Sequence, residues 1–600
     1  EDGTNKIVNG TDDPLEILRG DSGNDILTGG QGDDIFSLPS GNNFITDLGG
    51  TDGLETELLL ISQNASLKAT NIKGFVAMEG SSNDGSAYLY ASPDSATIDL
   101  SNSSSNQLSG YNIYGHDGDD DLTGSTGNDN IIGGGGNDNL TGGEGNDIFG
   151  VNSGTDLITD LKTGDSLVVN ANARATAIVV DDFIATNKTR NESDNSVVLS
   201  ISNPNTEIID VSEAKGKQGF AIFPASDSLN IKGSDMQDSV FLDDYDIYEG
   251  DIDLGGSLDY LKIFDPSLNF SLEFLNDNNL KNVEQIEVVE NPQNTNNING
   301  VSLNLNNQTE NLNISSNDGN DEIYSGVGNN LIQTFEGNDF IQSNGGADNI
   351  ISYSGNDVIK LVGNKYYSNG LSAHNSSSQN QQGTGEKIGV GGYIELESVI
   401  AGGDGVDRIE LGSENEAFFL HNSISNFHSV VPVSTDYNGD SGIFRFHSIE
   451  EIFADEGDDI IDLTSPDYSL INLEIMVDGG SGNDVIWGSD ANETLRGGSG
   501  NDKIFGGIGT DVLIGGEGAD EFQFTKTSTN STITDFDINS GDTLSFFNKG
   551  GVNFDKETVE ISDSILKISY GTDVNDFVNI NLSNTLLTSS EILDSINIII

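Results

Sequence analysis

The chain has 600 residues, no cysteine, and 98 acidic against 24 basic side chains, a formal net charge of −74. Disulfide frameworks and thiolate metal sites are thereby excluded, and with no basic patch nucleic acid and anionic membranes are excluded as partners. Self-repulsion on this scale opposes compaction unless cations neutralise it, so cation binding is expected to be coupled to folding.

One nine-residue phrase recurs along the chain, G-G-x-G-x-D-x-U-x with U a large apolar residue. It is cleanest at Gly133–Thr141, Gly142–Gly150, Gly479–Trp487 and Gly497–Phe505. Glycines at positions 1, 2 and 4 allow φ > 0 and tight bending. The aspartate at position 6 supplies a hard carboxylate oxygen, the ligand type calcium prefers. Position 8 turns an apolar side chain inward, as at Leu27, Leu140, Ile486 and Phe522. Each phrase predicts a six-residue turn and a three-residue strand, two phrases make one coil, and residues eighteen apart stack with a cation between their turns.

In chain order, residues 1–52 predict a first roll with a tail, 53–110 a β-rich connector, 111–167 a second roll with a tail, and 168–310 a β-rich region. Residues 311–360 predict a degenerate roll. Residues 361–455 predict a β-rich region with a long loop, Lys365–Gly385, and a lone phrase, Gly402–Glu410. Residues 456–545 predict a fourth roll with a tail and 546–600 a terminal β region. The tails read ITDLGGTD, ITDLKTGD and ITDFDINSGD, ending at Asp52, Asp165 and Asp542. Between the rolls, strands are expected at Ser196–Ser202, Tyr260–Phe264, Asn282–Glu290, Ser302–Asn307, Phe444–Ala454 and Thr543–Phe547, with one short helix near Ser589–Ser595.

The candidate calcium ligands follow from the eighteen-residue stacking. In the first run they are Glu16 with Asp34, and Asp25, whose stacked partner is Asn43. In the second they are Asp120 with Asp138, Asp129 with Asp147, and Asp138 with Asp156. In the third they are Asp321, Asp339, Asp348 and Asp357, with Asn330 keeping an oxygen but losing the charge. Asp407 serves the lone phrase. The fourth run offers Asp459, Asp484 with Asp502, Asp502 with Asp520, and Glu493 with Asp511. Backbone carbonyls of the same turns are expected to complete each shell. In the tails Asp535 and Asp542, with Asp47, Asp52, Asp160, Asp165 and Asp537, are either further ligands or turn-forming residues between strands.

The tandem runs resemble the parallel β-roll of secreted RTX proteins. The resemblance implies an all-β, elongated fold of β-roll and β-solenoid segments with several Ca2+ ions in the turns. It also implies export by type I secretion machinery and a place at the cell surface. The terminal EILDSINIII resembles the uncleaved signals of type I substrates; it also reads as a final sheet strand, and the two readings coexist. Residues 417–465 resemble segments that precede the terminal repeats of large RTX toxins and adhesins. No N-terminal signal peptide and no apolar run of membrane-spanning length is visible.

No H-E-x-x-H or G-x-S-x-G string occurs, and His116, His374, His421, His428 and His447 read as surface or packing residues. The expected function is therefore structural and not enzymatic: a surface-layer or sheath-like component that folds after export on meeting extracellular calcium. Self-association or cell-surface polysaccharide would provide its partners. A calcium-dependent adhesin or glycan-binding module, contacting ligand through Lys365–Gly385, is the alternative; an unrecognised polysaccharide-active enzyme is the third reading.

Overall fold

The structure is a computed structural model. It describes the chain apart from residues 1–3, 12, 14, 50–54, 106–109, 244–247, 265–278, 290–299, 347, 363–376, 380–386, 390–398, 414, 416, 420–445, 465–469, 472, 529, 548–553, 555–558, 563–564, 570–576, 583–587 and 600. Its contacts divide the chain into two compact units, residues 1–265 with 277–287 and residues 266–276 with 288–600. Short strands paired in parallel make up nearly all of each.

In the first unit the eighteen-residue step is explicit. Tyr111–Asp117, Asn130–Gly135, Ile148–Val151 and Ser166–Val169 pair in succession, aligning Ile113, Ile131, Phe149 and Leu167. On the opposite sheet Asp121–Thr123, Asn139–Thr141 and Gly154–Leu161 align Leu122, Leu140 and Ile158. These position-8 side chains are fully buried, each contributing about 1.5–3 kcal/mol on leaving water. Three-residue strands are short because the next turn begins immediately; packing in the column, not strand length, holds them.

The tails do not end the coil. Gly154–Leu161 pairs with Ala173–Val179, which pairs with Val197–Ile201, then Phe220–Phe223, Ser239–Asp243 and Tyr260–Phe264. Here a third face is added by Phe183–Ile184, Ile208–Asp210, Asn230–Lys232, Ile252–Asp253 and Leu280–Lys281. The extra face lengthens most steps beyond eighteen residues, the step from Ile222 to Val240 excepted, which removes the nonapeptide period from the sequence while keeping the coil.

In the second unit one buried column runs Leu303, Ile323, Ile341, Ile359, Ile409, Ile452, Val477, Leu495, Leu513 and Ile533. It joins the degenerate run, the lone phrase and the fourth run. The long loop Lys365–Gly385, apart from Ser377–Gln379, lies outside the described residues, as do His374, His421 and His428. A second column runs Ile461, Ile486, Ile504, Phe522, Leu544 and Ile596. Its last member lies in Ile596–Ile599, so the terminal segment is a sheet strand. The helix Ser589–Asp594 precedes it, started by a capping box between Thr588 and Glu591. Trp487 is fully buried, stacked in register on Phe505.

The glycines divide their labour differently from the expectation. Positions 2 and 4 take positive φ, as Gly480 (88°) and Gly482 (145°) show. Position 1 is glycine for want of space: a Cβ on Gly479 would lie 2.6 Å from Oδ2 of Asp484.

Candidate metal centre

Each position-6 carboxylate is held by the coil before it. The backbone N–H of Asp120 donates to Oδ1 of Asp138 at 2.8 Å, Asp129 to Asp147 at 2.8 Å and Asp138 to Asp156 at 3.1 Å. The same bond joins Glu16 to Asp34, Asp321 to Asp339, and Asp339 to Asp357. In the fourth run it joins Asp459 to Asp484, Asp484 to Asp502, Glu493 to Asp511 and Asp502 to Asp520. The stacked pairs read from the sequence are thus adjacent, and the carboxylates form columns along the turns. Position 5 carries an oppositely directed ladder. The N–H of Asn501 donates to Oδ1 of Asn483, and that of Ala519 to Oδ1 of Asn501.

The second carboxylate oxygen divides the candidates. Oδ2 of Asp34, Asp120, Asp138, Asp147, Asp156, Asp339, Asp357, Asp407, Asp484, Asp502, Asp511 and Asp520, and Oε2 of Glu493, are buried and accept no hydrogen bond. At three steps a serine hydroxyl takes that oxygen instead: Ser125 on Asp129, Ser316 on Asp321, Ser343 on Asp348; Ser352, at position 1 before Asp357, donates to the carbonyls of Ala401 and Gly402. Asp25 is satisfied by the amides of Lys6 and Asp21. Glu16 turns its carboxylate to Thr11.

An asparagine shows what the free oxygen faces. Nδ2 of Asn330 donates to the carbonyls of Gly328 at 3.0 Å and Gly326 at 3.5 Å, and Nδ2 of Asn43 to those of Ser40 and Gly41. Turn carbonyls therefore converge on the position-6 side chain. Where that side chain is aspartate, carbonyl and carboxylate oxygens face one another, acceptors against acceptors. A hard divalent cation is the group that relieves such an arrangement. Among the described residues no group of three or more His, Cys, Asp or Glu side chains is placed to hold an ion alone, so the carbonyls are a required part of any shell.

Electrostatics point the same way. Burial, with neighbouring carboxylates adding to it, pushes Asp147 and Asp484 up to about 8 and Asp120, Asp339 and Asp502 up to about 7. Burial likewise pushes Glu57, beside Asp34, up to about 9. Without a cation these columns hold protons near neutrality.

The sequence reading missed members of the columns. Asp357 donates to Asp407, and Asp407 to Glu450, across steps lengthened by insertions. Asp238 donates to Asp259, and Asp259 to Glu284, in a region without clean phrases. The signal available was a short Gly/Ser turn before each of Asp238 and Asp259. Asp147 and Asp520 extend their columns to Asp165 and Asp542 in the tails. The remaining tail aspartates act differently. Both oxygens of Asp47, Asp160 and Asp535 accept the two consecutive glycine N–H groups of the preceding coil, Gly515 and Gly516 in the case of Asp535. They serve as caps on the turn amides. Asp52 lies outside the described residues.

Residues 16–45, 114–158, 313–332, 336–359, 476–504 and 487–522 match the family model described as RTX calcium-binding nonapeptide repeat (4 copies). These segments are RTX calcium-binding repeats. The cation that fits the columns is accordingly calcium, taken up at multiple steps. RTX-repeat proteins are typically secreted. Among the described residues no helix is long and apolar enough to cross a membrane. None of the curated proteins compared matches the chain. Among solved structures it is similar to the extracellular lipase LipA from Serratia marcescens, at 14% identity, covering 56% of this chain and 45% of that one, with a TM-score of 0.15. The chain thus spans less than half of that lipase.

Proposed function

We propose that the chain is a calcium-folded structural component of a cell surface, surface-layer or sheath-like, with no catalytic role. The observation that supports this is repetition: a parallel coil of the same kind, with carboxylate columns, makes up much of each unit. Calcium acts twice in this reading. It neutralises the columns so that the coils close, and it bridges the acidic faces of neighbouring copies that would otherwise repel. In a calcium-poor cytosol the chain stays open and exportable by type I machinery. Outside, millimolar calcium exceeds dissociation constants of about 10⁻⁴–10⁻³ M, and the coils form.

The test is to image intact cells and purified material in calcium, then after chelation. Tiled or sheathing material that disperses on chelation supports the proposal. Material that stays assembled and folded without calcium overturns it, and dispersed single molecules in calcium that bind glycans favour the adhesin alternative.

A further inference from the structure

Lys162 sits inside the carboxylate column of the second run. Its Nζ donates to the Gly143 carbonyl at 2.7 Å and lies 3.4 Å from Oδ2 of Asp165 and 3.6 Å from Oδ2 of Asp147. Both carboxylates are fully buried. Gly143 is position 2 of its phrase, and its carbonyl corresponds to that of Gly326, which the Asn330 amide reaches in the third run. The ammonium therefore occupies the place where a turn carbonyl and two stacked carboxylates converge. Those are the groups that face each other without an intervening donor at the glycine-type steps. Other described ion pairs, such as Lys262 with Glu287 or Arg408 with Glu451, join side chains that are all partly exposed.

The three tails make the contrast sharp. In each, one backbone N–H closes onto the next carboxylate of the column: Gly49 onto Glu57 at 3.0 Å, Lys162 onto Asp165 at 3.0 Å, Asp537 onto Asp542 at 2.7 Å. The backbone does the same work in all three. The side chain at that position is absent in the first, an ammonium in the second and a carboxylate in the third. The lysine is thus not needed to build the tail.

We infer that Lys162 is a tethered cation that takes the place of a calcium ion at the Asp147–Asp165 step, so that the second run ends on a site no metal enters. Asp147, expected from the sequence to be a calcium ligand through its stacking with Asp129, then holds an internal ammonium on its other side. A tethered charge costs no binding event, and it fills this step at any calcium concentration. The inference rests on calcium occupying the other steps.

The experiment uses the full chain saturated with Ca2+. A crystal structure with anomalous calcium signal is expected to place ions at glycine-type steps such as Asp484–Asp502 and none within ligand distance, about 2.3–2.6 Å, of Oδ2 of Asp147 or Asp165. Native mass spectrometry is expected to count one more calcium per chain for K162M than for the parent, and the parent count for K162R. An ion at the Asp147–Asp165 step in the parent, or equal non-zero counts for parent and K162M, overturns the inference alone. A parent chain that takes up no calcium at any step overturns the calcium reading and this inference together. Should K162M fail to fold, the parent crystal structure decides.

Discussion

The backbone N–H of Asp484 donates to Oδ1 of Asp502, 2.8 Å away and eighteen residues on, while Asp502 donates its own N–H to Asp520 at 3.0 Å. Asp502 is therefore a link in a chain, and its Oδ2 is buried without a donor. Truncating it leaves the Asp484 amide unpaired at a cost of about 1–3 kcal/mol and removes a ligand from two steps. D502A is expected to shift the calcium midpoint for folding upward more than D25A, because both oxygens of Asp25 are already held by amides. Calcium titrations followed by far-UV circular dichroism check this; equal shifts would contradict the stacking scheme.

The asparagine ladder predicts a different signature. Asn501 accepts from Ala519 and donates to Asn483, both through neutral groups on an exposed edge. N501A is expected to cost about 1 kcal/mol, measured by urea unfolding. The loss in kcal/mol should be the same at low and saturating calcium, whereas the D502A loss should grow with calcium.

Serine-type and glycine-type steps should differ in their need for metal. Ser125 hydroxyl and amide both bind Oδ2 of Asp129, at 3.1 and 2.7 Å. S125G would strip the hydroxyl from that oxygen and leave it the backbone amide alone. Its expected effect is a gain in calcium uptake together with lower stability in chelator, read by isothermal titration and by thermal melts in EDTA.

The raised carboxyls make the calcium-free chain pH-dependent with a defined sign. A carboxyl pushed up to about 7 or 8 in the folded state, as at Asp502 or Asp484, keeps a proton that it gives up on unfolding, where its value is about 3.9. Its stabilising contribution is complete below the unfolded value and is lost as pH rises through 7 to 8. In EDTA, β content is expected to fall between pH 5 and 8. In millimolar calcium it should hold steady or rise over the same range, since the metal requires the deprotonated form. A chain whose β content in EDTA rises with pH would refute the assignment of buried, unneutralised columns.

Much of this was legible because the phrase couples three demands in nine residues. Asp484, Ile486 and Gly480 each follow from one of them: a ligand oxygen, a buried side chain and a backbone turn at positive φ; the space too small for a Cβ at Gly479 did not. The columns through Asp238, Asp259 and Glu450 were not legible, because a third sheet face or a long insertion breaks the eighteen-residue spacing while hydrogen bonding keeps the contact. Nor was the role of Asp535 visible. A carboxylate gripping two glycine amides and one gripping a cation are both an aspartate after a turn, and only the placement of Gly515 and Gly516 separates them. Lys162 escaped notice for the same reason: its chemistry depends on where the preceding coil puts the Gly143 carbonyl.

The two ladders run in opposite senses, carboxylates reaching back toward the N-terminus and asparagines reaching forward. Where both are present, as at Asn483–Asn501 and Asp484–Asp502, each coil offers its neighbour one row of acceptors and one row of donors. Within a run the pair of rows therefore gives the stack of coils a direction, set by hydrogen bonds and not by strand order alone.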